Sequence, residues 1–172
     1  MKFTIFKNQH YSLPFFVMPH FNVKKAEFIV KFDKNCWYKR DDVEHTGINK
    51  LCGLGFGLNH HNNSVRVGWQ PDFERKGVIK LHVYWYDMTG KYQEKYICSV
   101  NTETPFKLLI DLTSRFIYNV TVNPIGTTYH YSETVDNINK DKKWGFWLRP
   151  YFGGKSKAPK KMKIWIKKKK LK

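Results

Sequence analysis

The residues best equipped for chemistry crowd into one stretch, Gly53–Trp69, which reads GLGFGLNHHNNSVRVGW. Glycines at 53, 55 and 57 invite comparison with a phosphate cradle. A dinucleotide fingerprint needs GxGxxG between a strand and a helix, with an acid about twenty residues later. The spacing here is GxGxG, another β-like run follows, and no P-loop lysine stands behind the glycines. On an extended chain the three glycines share one face, where they make room for a bend, a bulge or a flat aromatic ring. His60 and His61 are adjacent, so on a strand their rings point to opposite faces and do not easily meet on one ion. The remaining histidines and the lone Cys36, Cys52 and Cys98 show no ligand spacing, and the sequence calls for no metal or cofactor.

Acid–base chemistry has two candidate constellations. Asp72 and Glu74 are two residues apart, but their Pro-Asp-Phe-Glu context reads as an exposed turn. Lyase chemistry would want an arginine, a histidine and a tyrosine on one sheet face, a set that Arg66, His82, Tyr84 and His130 can supply. Spacing alone does not select these four over other polar residues.

The elements that must position such groups are strands. Ala26, Phe28, Val30 and Phe32 alternate with Glu27, Ile29 and Lys31, and Ile79, Leu81, Val83 and Trp85 with Lys80, His82 and Tyr84. The same period of two runs through 106–112, 116–122, 144–148 and 162–166. Turn signals recur at Asp87–Gly90, Thr113–Arg115 and Asn123–Gly126, while no helical stripe of useful length occurs. The opening stretch itself becomes a hairpin: a strand to Leu58, a turn at Asn59–Ser64, and a return through Val65, Val67 and Trp69. The expected fold is all-β, an antiparallel sandwich of two sheets with eight to ten strands and little or no helix. It spans 1–172 as one domain, with a lysine-rich strand and tail at 155–172.

Composition adds two hints. Thirteen Phe, ten Tyr and six Trp are more than one core layer takes up, and neighbouring pairs such as Tyr84–Trp85, Phe146–Trp147 and Ile164–Trp165 must face opposite ways. The formal charge is +17, and ten lysines without an acid lie in 155–172. That balance suits nucleic acid, anionic membranes or acidic proteins, although no helix-turn-helix, zinc-finger or RNP-like motif is present. The last strand carries lysines outward, a common protection for a sheet edge. The residues expected to dock partners are Lys160, Lys161, Lys163, Trp165, Lys167, Lys168, Lys169 and Lys170, with Trp147, Tyr84 and Arg66. Three unpaired cysteines suit a reducing compartment. The apolar run Leu13–Phe21 is broken by Pro14, Pro19 and His20, so neither a signal peptide nor a membrane span is expected.

Two blocks, GINKLCGLGFGLNHHNNSVRVGW (Gly47–Trp69) and RPYFGGKSKAP (Arg149–Pro159), resemble small jelly-roll proteins of Bacteroidetes and their crAss-like phages. The pattern there is similar to W-N-K-L-x-G, then H-x-N-S-x-R-x-G-W, then P-Y-F-G-G. Ile48 stands where that pattern often has an aromatic, and the lysine-rich end is a second departure. The resemblance implies a concanavalin-like jelly roll and carries no catalytic residues. Tyr151–Gly154 also resembles the Tyr-Phe-x-x-Gly strand of jelly-roll alginate lyases, whose Gln-x-His and Arg-rich strands have no match here.

With its Lys-, Asn- and Phe-rich composition, of the kind AT-rich phage genomes encode, the chain is expected to be non-enzymatic. The expected role is a virion accessory protein, made in the host cytoplasm, that decorates a capsid, portal or tail. It would dock other chains of a large assembly through basic and aromatic patches, with nucleic acid or glycan as further possible partners. The alternatives are a lectin-like carbohydrate-binding module and a polysaccharide lyase or hydrolase.

Overall fold

The computed structural model describes residues 1–15, 17–44, 47–59, 61, 63–86, 89–113, 118–125, 131–135 and 143–169. Among them the alternating runs become strands: β1 (Lys2–Ile5), β2 (Ser12–Leu13), β3 (Pro19–Phe21), β4 (Lys25–Phe32), β5 (Asn49–Phe56), β6 (Ser64–Pro71) and β7 (Val78–Tyr86). The second half of the chain adds β8 (Tyr92–Asn101), β9 (Phe106–Asp111), β10 (Tyr118–Pro124), β11 (Tyr131–Val135), β12 (Trp144–Leu148) and β13 (Met162–Lys168). Among the described residues the helical content is two single turns of 3-10 helix, Lys34–Cys36 and Arg40–Asp42. Short strands the alternation does not reveal, β1, β2, β3 and β11, raise the number above the expected eight to ten.

One sheet runs β11-β10-β9-β4-β13-β1-β2 and the other β3-β12-β5-β6-β7-β8. Every pairing is antiparallel. The protein is a two-sheet antiparallel β-sandwich of jelly-roll type. The inward face of each strand carries the core: Phe28, Val30 and Phe32 from β4 meet Val67, Trp69, Leu81 and Val83 from β6 and β7, all buried. Trp69 is fully enclosed, with its ring centre 5.3 Å from that of Phe32. This is the period-two division of apolar and polar faces that a sandwich requires.

The lysine-bearing last strand is not a guarded edge. β13 lies between β4 and β1, inside its sheet. The edge strands are β11 and β2 in one sheet and β3 and β8 in the other, and β2 and β3 lie at the two ends of the Leu13–Phe21 run. That run, expected only to be too broken for a membrane, thus has one end in each sheet.

Two β-bulges matter for function. The β5–β6 register shifts between Lys50 and Cys52, and the β7–β8 register shifts between Leu81 and His82. Each adds a residue to one strand, changing which side chains share a face from that point on.

Candidate active site

Directly paired residues lie on the same face of a sheet, so the register defines what stands on the outer face of the six-stranded sheet. One row runs Tyr151–Lys50–Gly68–His82–Tyr96 across neighbouring strands. The next runs Gly53–Arg66–Tyr84–Glu94, and the third Phe146–Gly55–Ser64–Tyr86–Tyr92. Glycines form the floor on β5 and β6, and long polar or aromatic side chains stand around them. The glycine at 68 makes room for a neighbouring side chain. A Cβ there would come within 2.2 Å of Ile48 Cγ2, because the Ile48 side chain lies across that position.

Arg66 is the centre of the patch. It is only 7% exposed, and its Nε and Nη2 are buried without a hydrogen-bond partner among the described residues. Its guanidinium carbon lies 5.3 Å from the ring centre of Tyr84, a favourable cation–π distance. Lys50 places its ammonium 5.5 Å from the Tyr84 ring and 5.7 Å from that of Tyr151. Neither cation joins any ion pair found among the described residues. Burial, and secondarily repulsion from Arg66, lowers the Lys50 pKa. Arg66 is likewise lowered by burial, against the pull of the Tyr84 and Tyr86 phenols.

The proton-handling groups stand beside these cations. Burial, helped by the Lys80 charge, holds the His82 pKa below the ordinary imidazole value. The Gln70 amide donates to His82 Nε2 at 3.3 Å, which suits a neutral ring. Burial pushes the Tyr84 phenol up to about 12 although Arg66 opposes it, so that hydroxyl is a proton donor at neutral pH. Tyr151 is raised too, by burial and by Tyr11. Glu94 accepts from the Tyr92 hydroxyl, and burial raises its pKa. At the far end Tyr84, Tyr86 and Tyr92 pack ring to ring at 5.4–6.1 Å.

The position of Tyr151 is tightly held. Its backbone exchanges hydrogen bonds with Lys50 at 2.8 and 3.0 Å. Gly153 N donates to Asn49 Oδ1 at 2.8 Å, and Asn49 Nδ2 donates to the Tyr38 hydroxyl at 3.0 Å. The His10 ring stacks on Tyr151 with centres 5.4 Å apart, and His10 Nδ1 donates to the Phe152 carbonyl.

Of the lyase-type set, Arg66, His82 and Tyr84 therefore meet on one face, whereas His130 lies outside the described residues. Asp72 sits elsewhere, almost fully buried and clamped by Arg75 and Lys80 at 2.6 and 3.7 Å. His60 also lies outside the described residues. Among those described, no cluster of three or more His, Cys, Asp or Glu side chains is arranged for a metal.

The expected docking residues do not form one surface. Lys163, Trp165 and Lys167 face outward from the seven-stranded sheet, and Lys160 and Lys161 precede that strand. Trp147 turns inward against Phe28, with the Lys168 ammonium 3.5 Å from its ring centre. Lys169 is paired with Glu27 at 3.0 Å, and Lys170 lies outside the described residues. Tyr84 and Arg66 stand on the opposite sheet. Sequence reasoning missed Lys50 and Gln70 as members of the patch, because the bulge in β5 and the cross-strand register are not written in the period.

The fold and this patch define a jelly-roll sandwich with an arginine, a lysine, a histidine and tyrosines on one sheet face. No protein-family model matches the chain, and no curated protein matches it. Among solved structures it is similar to the alginate lyase from Alteromonas sp.272, at 11% identity over 86% of this chain and 73% of that one, with a TM-score of 0.47. It is similar to the polysaccharide lyase family 18 protein aly-SJ02, at 10% identity, covering 99% and 88% of the two chains, TM-score 0.48. It is also similar to the PL7 alginate lyase AlyA1 from Zobellia galactanivorans, at 14% identity, 88% and 65% coverage, TM-score 0.46.

At these identities the likeness is one of fold. The expectation of a non-enzymatic virion accessory protein is corrected all the same. The similar structures named above are described as alginate or polysaccharide lyases, not as virion components.

Proposed function

We propose that the protein cleaves an acidic polysaccharide by β-elimination on the outer face of the six-stranded sheet. The observation that carries this reading is Arg66, buried beside Tyr84 with two guanidinium nitrogens unsatisfied among the described residues. Orphaned buried donors are costly, and an arriving carboxylate would satisfy them bidentately. Lys50 adds a second unpaired cation.

β-Elimination of a uronate needs three things: neutralisation of the carboxylate, a base for the proton at C5, and an acid for the leaving oxygen at C4. Arg66 and Lys50 serve the first, drawing charge from the carboxylate as the carbanion develops. The neutral His82 imidazole serves the second. To take the proton, Nε2 gives up the bond from Gln70, which at 3.3 Å is long and therefore weak. The Tyr84 phenol, protonated at neutral pH, serves the third. His82 and Tyr84 are alternate residues on β7, roughly 7 Å apart at their Cα atoms, a span that brackets one sugar ring.

The test is incubation with alginate, polygalacturonate, glucuronan and chondroitin, reading the ultraviolet absorbance of unsaturated uronate ends. An absorbance rise with at least one substrate, lost in Arg66→Met, is the expected result. No product and no binding to any of them would overturn the reading. A second reading, glycan binding without cleavage, is favoured by the aromatic end of the face formed by Tyr86, Tyr92, Phe146 and Trp144, where rings can stack on sugars. It predicts saturable binding without unsaturated product.

A further inference from the structure

On the other side of the six-stranded sheet, toward its edge, the two sheets do not close completely. Phe3, Phe28 and Ile166 on one wall face Cys52, Trp147 and Met18 on the other, leaving an open cleft of about 290 Å³. Sandwich interiors are normally filled to crystal-like density, and this volume stands at the lower end of small-molecule pockets, roughly 300 Å³. The walls are apolar but the rim is cationic. Lys168 rests its ammonium on the Trp147 ring at 3.5 Å, and the Arg149 guanidinium carbon lies 3.4 Å from the Phe15 ring centre. Arg149 Nη1 is buried without a hydrogen-bond partner among the described residues. Neither rim cation is in an ion pair there, and Glu27, close by on β4, is occupied by Lys169.

An apolar slot with two cations at its mouth, neither in an ion pair among the described residues, matches one kind of molecule. We propose that the cleft binds a single-chain amphiphile with an anionic head, a medium-chain fatty carboxylate being the simplest member. The tail lies between the sheets in contact with Phe28 and Trp147, and the carboxylate sits at the Lys168–Arg149 rim. The site is separate from the Arg66 patch, which faces outward from the same sheet, so it stands or falls independently of polysaccharide cleavage.

Calorimetric titration of the full chain with decanoate, kept below its micellar concentration, tests this. Saturable one-to-one binding is expected, with butanoate and decyltrimethylammonium at least tenfold weaker. Lys168→Met weakens decanoate binding about tenfold or more, the loss of one charge-assisted contact. Met18→Trp fills the slot and abolishes binding, with the melting temperature confirming that the fold is intact. Decanoate binding no tighter than butanoate, or indifferent to both variants, would overturn the proposal. Co-sedimentation with phosphatidylglycerol vesicles in the absence of decanoate binding would overturn it in favour of a membrane-docking edge.

Discussion

Replacing Arg66 by methionine separates a functional residue from a structural one, because the two roles predict opposite signs. Arg66 is 7% exposed, and two of its nitrogens are unpaired among the described residues. Each orphaned buried donor costs about 1–3 kcal/mol, so the pair weighs roughly 2–6 kcal/mol against the folded state. The compensating contact with Tyr84 at 5.3 Å returns about 1–2 kcal/mol. Methionine keeps an unbranched apolar stem of similar reach and removes both terms. The net expectation is a gain of about 2 kcal/mol, which for a chain of this size raises Tm by roughly 4–8 °C. Activity moves the other way. Losing the group that meets the carboxylate costs about 3–4 kcal/mol in the transition state, a fall of about 10²–10³ in kcat/KM. Thermal denaturation followed by circular dichroism reads the first effect, and the unsaturated-uronate assay reads the second. A variant that melts several degrees lower and cleaves as well as the parent would refute the reasoning, showing Arg66 to be a strut.

Three other outcomes follow from the geometry. Gly68→Ala places a methyl 2.2 Å from Ile48 Cγ2; it should destabilise by about 1–3 kcal/mol in urea unfolding, and Ile48→Ala in the same chain should relieve most of that loss. His20 and His82 are both held below the ordinary imidazole pKa by burial. The unfolded chain therefore binds more protons just below the unfolded pKa, so stability falls as pH drops through about 6.5, and His82→Gln should flatten that slope in pH-dependent melts. Cys36, Cys52 and Cys98 are buried with thiols pushed up by desolvation, Cys98 to about 12; none should react with a disulfide reagent in the native state at pH 8, and all three should do so in denaturant.

The strands were legible because burying one face imposes a period of two that residues such as Ala26–Phe32 and Ile79–Trp85 keep without interruption. The Gly53–Trp69 hairpin was readable for the same reason, and Trp69 does pack at the centre of the core. The site was only partly legible. Arg66, His82 and Tyr84 could be nominated by type, but their union depends on the cross-strand pairs Arg66–Tyr84 and Gly68–His82, which are properties of two strands together. Lys50 was invisible to alternation. It is three residues from Gly53, an odd spacing that an unbroken strand would place on opposite faces, and only the bulge between Lys50 and Cys52 restores them to one side. Tyr151 could be found only through its Tyr-Phe-Gly-Gly context, since the Asn49 bond that holds this segment spans most of the chain. The lysine run at the C-terminus was conspicuous in composition, but composition does not show that Lys163 and Lys167 face outward while Lys168 folds onto the Trp147 ring.

The placement of β13 between β4 and β1 also makes closure of this sheet a long-range event. The two strands it joins lie far upstream of it in sequence and do not pair with each other, so they become neighbours in the sheet only through β13. Before it docks, Phe28, Val30 and Phe32 have no neighbour on that side, and the amine of Met1 waits for the carbonyl of Ile166, its partner at 2.8 Å. Such sequence-distant closure is slow and leaves strand edges exposed. Until β13 pairs, β4 and β1 each present an open edge, so the folding chain is most prone to wrong pairing just before this closure.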